Sequence, residues 1–306
     1  MFNHIPVLLQ ECIDALDIKP DGVYIDGTAG GGGHSAEILK RLSTGRLLCI
    51  DQDPDALVHL KDRFSEYGNV LISEGRFSEM ESIAKSLGID KVDGILLDIG
   101  VSSHQIDTGS RGFSWAKPAA LDMRMSQSGE TAADIVNTYE EKDLAKLFFE
   151  FGEERYSRFI AGKIVKARKE AEIETTTQLA DIVLSALPAA ARREPNPSKR
   201  VFQALRIAVN HELDELSQGL ASGINLLALG GRFAVITFQS LEDKILKKSF
   251  NTFAAPCTCP SDFPICTCGK LPLARQITKK PITASAEELE RNSRSKPAKL
   301  RVIERI

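Results

Sequence analysis

The sequence predicts an α/β protein in which a helical insertion interrupts a mainly parallel sheet. Strand-like and helix-like stretches alternate over residues 20–100, residues 102–129 are loop-like, the apolar period is helical from Thr131 to about Leu216, and the strand pattern then returns. Alternation at this spacing is typical of βαβ units and a parallel sheet. We therefore expect a discontinuous domain, formed by 1–111 and 216–306, and an inserted helical domain, 112–215.

The first part of the sheet is predicted from short apolar segments separated by helix-like ones. The expected strands are 23–25, 47–50, 70–72 and 92–97, and the expected helices are 35–42, with Ser35 as N-cap, and 54–64. An aspartate follows three of the four strands: Asp26, Asp51 and Asp98. Asp98 is expected at the carboxyl edge of the sheet, beside the crevice in which such folds bind ligands.

The middle of the chain has apolar residues at helical spacing. Thr138-x-x-Glu141 matches a capping box, and Pro195 and Pro197 precede a predicted long helix, 198–216. The insertion also carries basic residues that could contact phosphates: Arg192, Arg193, Lys199, Arg200 and Arg206. Beyond it we expect a helix ending over 224–229, a strand at 233–238, and a final strand pair, 276–282 and 299–306.

Composition narrows the class of protein. The chain has 306 residues, of which 42% are hydrophobic and 26% charged, which is typical of a folded globular protein and not of a disordered chain or a coiled-coil rod. The start of the chain lacks a basic segment typical of a signal peptide, and no apolar run approaches the ~20 residues that cross a bilayer. We expect a reducing, cytoplasmic location, because six cysteines in a chain this long do not form a disulfide scaffold.

The sharpest local signal is the glycine-rich loop from Asp26 to Ser35, which lies between a strand and a helix. Glycines let a ligand approach the backbone, and the N–H groups at a helix start favour an anionic group. Asp51 ends the next strand, where such folds place an acid on ribose hydroxyls. These features indicate nucleoside binding. The loop lacks the G-x-G-x-x-G spacing of dinucleotide sites and the last strands suggest a hairpin, so S-adenosylmethionine is favoured over a nicotinamide dinucleotide.

An ordered set of motifs identifies a family. The motifs, in chain order, are HIPVLLQE, YIDGTAGGGGHS, CIDQDP, GILLDIGVSSHQID, RGFSW, LDMRM, FGEERYSRFIA, FQALRIAVNHELDEL, ITFQSLEDKI and LRVIERI. With this ordered set the chain resembles the bacterial RsmH/MraW family of class I S-adenosylmethionine-dependent methyltransferases, which act on N4 of a cytidine in the decoding region of 16S ribosomal RNA. The resemblance implies a Rossmann-like sheet, this activity, this cofactor and a small-subunit RNA partner, with no membrane association.

The resemblance also implies site residues. The family's cofactor positions fall on Gly32, Gly33, His34, Asp51, Phe77, Asp98 and Gln105. Two departures affect the substrate side: Ala120 stands where the family commonly has proline, and Gln239 where it often has histidine. Asp98 has two open roles. It could accept the proton of the cytosine amine, or it could hold the cofactor, because the Pro-Pro-aromatic turn of many amino-methyltransferases is missing after it.

Two further questions stay open in the sequence. A non-catalytic RNA-binding assembly factor on the same fold is the alternative function, although the intact glycine loop and acids argue against loss of the cofactor. Two C-x-C pairs, formed by Cys257, Cys259, Cys266 and Cys268, could hold zinc. Since C-x2-C is the commoner zinc spacing, we favour a reduced surface loop and predict no metal at the active site.

Overall fold

A computed structural model describes residues 6–115, 118–260 and 267–306. The chain divides into two compact units: one is Val101–Glu212, and the other comprises the chain up to Gly100 and from Leu213 onward. The first overlaps the predicted insertion over residues 112–212. We call them the helical unit and the sheet unit.

The elements follow in chain order. The strands are β1 Val23–Asp26, β2 Arg46–Asp51, β3 Val70–Glu74, β4 Val92–Asp98, β5 Leu227–Thr237, β6 Ala274–Gln276 and β7 Lys299–Arg305. The first seven helices are α1 Leu9–Leu16, α2 Gly33–Leu39, α3 Pro54–Arg63, α4 Met80–Ser86, α5 Ser103–Asp107, α6 Ala132–Thr138 and α7 Glu141–Gly152. The others are α8 Ser157–Ala167, α9 Thr176–Ala186, α10 Ala189–Arg192, α11 Lys199–Asn210, α12 Glu212–Leu226, α13 Ser240–Ala254 and α14 Ala286–Arg291. Short 3₁₀ helices cover Phe77–Glu79, Gly109–Arg111 and Ser293–Ser295.

The described strands form one seven-stranded sheet in the order β3-β2-β1-β4-β5-β7-β6. The pairs among β1 to β5 are parallel, whereas β7 runs antiparallel to both β5 and β6. This arrangement confirms the predicted fold class, a Rossmann-like sheet whose last two strands form an antiparallel pair. The first strand of this pair is shorter than expected, because β6 covers Ala274–Gln276 only and Ile282 adds a single bridge to Leu300.

Two apolar layers cover the two faces of the sheet, because successive side chains of a strand point to opposite sides. In β4, Ile95 and Leu97 belong to one buried cluster and Leu96 belongs to the other. In β5, Phe233 and Val235 likewise alternate with neighbours on the opposite face. Near-continuous burial of this kind is typical of parallel strands with helices on both sides.

The helical unit has its own core, formed by apolar side chains of α6 to α11. The predicted capping box at Thr138 is wrong, since Thr138 ends α6 and its hydroxyl donates to the carbonyl of Asp134, whereas Thr131 caps that helix. The predicted long helix 198–216 is two helices that meet at His211, whose φ is +52°. Within the described ranges, the structure contains no helix long and apolar enough to cross a membrane.

Candidate functional site

Three carboxyl groups end three adjacent parallel strands in the sheet unit. Asp51 ends β2, Asp26 ends β1 and Asp98 ends β4, and these strands are neighbours in that order. The structure thus brings the predicted site residues Asp51 and Asp98 to one edge of the sheet, with Asp26 between them. This edge of the sheet therefore carries three carboxyl groups, which can accept hydrogen bonds from hydroxyl groups and attract cations.

The glycine loop turns from β1 into α2 at this edge. Gly32 caps the helix with φ +71°, a conformation that side chains with a Cβ atom rarely adopt. A Cβ atom on Gly33 would lie 2.3 Å from Cγ of Pro6, so the glycine also allows the N-terminal segment to pack closely. The predicted N-cap Ser35 is wrong: the helix begins two residues earlier, and the Ser35 hydroxyl has another partner.

That partner is Asp26, to which the sequence reasoning gave no part in the site. The Ser35 hydroxyl donates to Oδ2 of Asp26 at 2.6 Å, and the amide of Thr28 donates to Oδ1 at 3.3 Å. Burial raises the pKa of Asp26 to about 6, although both hydrogen bonds act in the opposite direction. Through these two bonds, Asp26 holds both ends of the glycine loop, at Thr28 and at Ser35. Its place at a strand end was the signal that could have revealed this role.

Asp51 is half-buried and already engages the backbone. Its Oδ2 accepts the amide of Gly30 at 2.7 Å and its Oδ1 accepts the amide of Asp53 at 2.8 Å. Burial raises its pKa to about 6, against the effect of these two bonds. Each carboxylate oxygen has a further lone pair. The arrangement therefore joins the glycine loop to the end of β2 and retains acceptor capacity for hydroxyl donors.

Of the three acids at this edge, Asp98 has the pKa that is raised furthest. Its amide donates to the hydroxyl of Thr28 at 2.6 Å, whereas its buried Oδ1 atom has no hydrogen-bond partner. Burial, followed by the negative charges of Asp26 and Glu242, raises its pKa to about 8. A buried acceptor without a donor is costly. The geometry of this atom therefore fits a site completed by a ligand that brings a donor or a positive charge.

His34 has a structural partner that the sequence did not reveal. It is 6% exposed, and its Nε2 lies 3.0 Å from the carbonyl oxygen of Val7. Burial lowers its pKa to about 4, so the ring is neutral at pH 7 and Nε2 carries the proton that it donates to Val7. Its Nδ1 lies 3.9 Å from Oδ2 of Asp98. The histidine thus joins the N-terminal segment to the Asp98 side of the edge.

Phe77 lies directly after β3, in a 3₁₀ helix beside the glycine loop. A Cβ atom on Gly219 of α12 would lie 2.5 Å from Cδ2 of its ring, and one on Gly27 would lie 3.2 Å from its Cβ. Two glycines therefore make room for the ring at the edge where Asp51 lies. The side chain is only partly buried, which leaves part of the aromatic surface able to meet a ligand.

Gln105 belongs to the helical unit. It is buried, and its Oε1 accepts the amide of Ser102 at 3.0 Å while its own amide donates to the Ser102 hydroxyl. This capping box begins α5. The structure gives Gln105 a local role in forming that helix.

The end of β5 adds two polar groups: Thr237, which the sequence did not single out, and Gln239, which was noted only as a departure from the family pattern. Oγ1 of Thr237 and Oε1 of Gln239 are buried and have no hydrogen-bond partner. Thr237 follows Ile236, which pairs with Asp98 in the sheet. The crevice thus continues from β4 to β5. The rule that ligands bind at the carboxyl ends of parallel strands applies equally to β5 and could have singled these residues out.

Comparison with known proteins decides the family. The family model described as "MraW methylase family" matches residues 1–306. The chain belongs to the MraW methylase family. It is 53% identical to the ribosomal RNA small subunit methyltransferase H of Clostridium botulinum (strain Loch Maree / Type A3), over 100% of this chain and 99% of that protein. It is 51% identical to the protein of the same name from Symbiobacterium thermophilum, over 100% of this chain and 97% of that one.

The MraW methylase family is S-adenosylmethionine-dependent, so the cofactor expected from the sequence is confirmed. The residues at the edge fit this group chemically. S-adenosylmethionine carries ribose hydroxyls, an aromatic base and a sulfonium cation. The edge supplies the carboxyl of Asp51, the partly exposed ring of Phe77, and a buried carboxyl oxygen of Asp98 without a donor.

Proposed function

We propose that this MraW-family methylase transfers a methyl group from S-adenosylmethionine to N4 of a decoding-region cytidine of 16S ribosomal RNA. The names of its full-length relatives, ribosomal RNA small subunit methyltransferase H, support the class of substrate. The motif-by-motif resemblance supports the cytidine and its N4 atom. The buried, donor-free oxygen of Asp98 beside the end of β5 is the observation that carries the proposal.

The proposed cofactor set comprises Gly32, Gly33, His34, Asp51, Phe77, Asp98 and Gln105. The carboxylate of Asp51 would accept hydrogen bonds from the ribose hydroxyls, and the ring of Phe77 would stack on adenine. The loop at Gly32 and Gly33 would receive the methionyl end. S-adenosylmethionine supplies an electrophilic methyl group when bound.

The roles differ in the support that the structure gives them. Asp51 and Phe77 have acceptor capacity and open aromatic surface. His34 would act through the loop, because its Nε2 is engaged by Val7. Gln105 rests on the resemblance alone, since its side chain caps α5.

Asp98 would act on the cytosine amine or on the cofactor. The amine is a poor nucleophile because its lone pair is delocalised into the ring. A carboxylate that accepts one N–H would localise that lone pair and take up the proton as the new bond forms. With a pKa of about 8, the Asp98 carboxyl is mostly protonated at pH 7 in the ligand-free protein. It must therefore lose its proton before it accepts one, which a nearby positive charge would favour.

The helical unit is the proposed RNA platform. Arg192, Arg193, Lys199 and Arg200 are exposed, and their positive charges could neutralise phosphates of the RNA. Arg206 is a poorer candidate. Its guanidinium forms two bonds to the Glu212 carboxylate, at 2.7 and 2.9 Å, and its side chain is only 14% exposed.

The deciding experiment is mass spectrometry of 16S RNA from a strain that lacks this protein, complemented with the wild-type chain or with Asp51→Ala. We expect one methyl group on a decoding-region cytidine to be absent in the deletion strain, restored by the wild type, and restored poorly by the variant. Unchanged RNA methylation in the deletion strain would overturn the proposal. A growth or assembly defect that Asp51→Ala corrects in full, without restoring the methyl group, would support the non-catalytic assembly factor instead.

Since its substrate is ribosomal RNA, we place the proposed activity in the cytoplasm, on the small subunit or its precursor. Methylation of purified subunits and of naked 16S RNA by the purified protein, measured side by side, distinguishes these substrates.

A further inference from the structure

A long connection in the sheet unit contains a cluster of thiols that the methyltransferase site does not use. Residues 255–273 join α13 to β6, and their described part contains no helix or strand. The two ends of this connection are tied together, because the amide of Leu273 donates to the carbonyl of Phe253 at 2.8 Å. Connections of this length are uncommon in compact domains, where they either serve a function or act as linkers.

Three cysteines converge within this connection. The Sγ atoms of Cys257, Cys259 and Cys268 all lie within 4.8 Å of one another. They come from two C-x-C pairs that are separated along the chain, so local spacing alone does not bring them together. Cys266, the remaining cysteine of the pairs, lies outside the described residues, and the site is argued without it.

The distance between two of these sulfurs fits a metal centre. Sγ of Cys257 lies 3.8 Å from Sγ of Cys268. A disulfide would bring the two atoms to about 2.0 Å. Tetrahedral zinc with Zn–S bonds of about 2.3 Å separates two ligand sulfurs by about 3.8 Å, the separation found here.

The third sulfur has a backbone donor. The amide of Thr267 donates to Sγ of Cys259 at 3.4 Å, and the Thr267 hydroxyl lies 3.7 Å from the same sulfur. Hydrogen bonds to sulfur stabilise the thiolate, which is the form that binds metals. Donors of this kind also orient the ligands of structural metal sites.

Apolar packing does not explain the cluster. Cys257 is exposed, and none of the three cysteines belongs to the hydrophobic clusters found among the described residues. In contrast, Cys12 and Cys49 are fully buried in the sheet core. A loop that has no apolar core of its own can be held by a structural metal instead.

We propose that Cys257, Cys259 and Cys268 bind a structural zinc ion that fixes the connection between α13 and β6. Soft thiolate ligands select zinc over magnesium or calcium. Binding converts three thiols into zinc-bound thiolates and releases three protons to the solvent, so charge and protons balance without a redox step. The fourth position of the ion takes a ligand outside this trio.

The test is metal analysis of the full chain purified without chelator. The wild type is expected to carry about one zinc ion per chain. The triple variant Cys257→Ser, Cys259→Ser, Cys268→Ser is expected to lose most of it. Thr258→Ala changes an exposed residue between two of the proposed ligands and should retain zinc as the matched control.

Two results would overturn the proposal. One is a wild-type chain that holds no zinc and does not compete for added zinc with a chromogenic chelator. The other is a triple variant that keeps as much zinc as the wild type. Because the variant could fold poorly, alkylation of the unmutated protein provides a second measurement. Zinc should slow alkylation of these three cysteines severalfold, as mapped by peptide mass spectrometry, and equal rates with and without zinc would reject the site.

Discussion

The buried carboxyl of Asp98 should make the ligand-free protein less stable as the pH rises, and Asp98→Asn should remove this cost. An acid whose pKa is higher in the folded than in the unfolded chain holds its proton more tightly when folded. As the pH rises from about 4 to about 8, the unfolded chain loses that proton first, so the free energy of unfolding falls. The asparagine has no charge to bury, and its variant should escape this decline.

The size of the effect follows from the pKa of the folded state, about 8, and the ordinary aspartate value of 3.8. The linkage relation gives a maximal cost of about 1.7 kcal/mol at pH 5 and about 5 kcal/mol at pH 8. Since 24% of the side chain contacts solvent, we halve both figures. We expect Asp98→Asn to raise the free energy of unfolding by about 1 kcal/mol at pH 5 and about 2–3 kcal/mol at pH 8.

The assay is urea unfolding of wild type and variant at pH 5, 6.5 and 8, without cofactor. Asp62→Asn, which changes an exposed acid of α3, is the matched control and should shift the unfolding free energy by less than about 0.5 kcal/mol at each pH. A stabilisation by Asp98→Asn that is the same at pH 5 and pH 8 would show that the carboxyl does not titrate in this range. A destabilised variant would mean that the carboxylate has partners within the ligand-free protein.

Two further predictions concern the cofactor. Asp51→Ala should weaken S-adenosylmethionine binding by about 1.5–3 kcal/mol, the loss expected for charge-assisted hydrogen bonds; calorimetry with Asp62→Ala as control measures it, and unchanged affinity in a folded variant would reject the ribose assignment. Gly219→Ala should weaken binding by displacing the Phe77 ring, whose Cδ2 would lie 2.5 Å from the new Cβ, while the melting temperature changes little because alanine favours the helix by about 1 kcal/mol. Ser217→Ala on the same helix is the control, and full affinity in Gly219→Ala would argue against a role for the ring.

The sheet could be predicted from the sequence because strands and helices of this kind are recognised from the pattern of neighbouring residues. Short apolar strands that end in aspartate, separated by helical periods, are enough to place Asp51 and Asp98 at one edge. The same rule applied to β1 and β5 would have included Asp26 and Thr237. These residues were missed because the motifs that contain them were interpreted through their other residues, although their positions follow from the same physics.

Contacts between residues far apart in sequence explain the wrong predictions. Ser35 has the pattern of an N-cap, but the buried Asp26 carboxyl takes its hydroxyl, and Gly32 begins the helix instead. No proline or glycine marks the break at His211. There the preceding Asn210 bonds to the backbone of Met123 and Met125, and the chain turns. A local sequence pattern does not show which hydrogen-bond partners the fold will bring to these residues.

The pH dependence of cofactor binding should show whether the Asp98 carboxylate contacts the sulfonium. If its carboxylate lies against the sulfonium of the bound cofactor, binding must expel the proton that the ligand-free carboxyl holds up to a pH of about 8. Affinity for S-adenosylmethionine should then rise with pH between 6.5 and 8, by at most about tenfold per pH unit. S-adenosylhomocysteine, whose sulfur is neutral, should show a weaker rise.

His34 cannot produce this dependence, because its pKa of about 4 keeps the ring neutral throughout the range. Asp51 titrates lower, near 6, and should affect both ligands alike. The difference between the two ligands therefore isolates Asp98, and Asp98→Asn should abolish it. If the two affinities keep a constant ratio across this range in the wild type, Asp98 does not contact the sulfonium. Its carboxylate is then left for the cytosine amine, and Asp98→Asn should lower single-turnover methylation by about 10²–10⁴-fold at saturating cofactor.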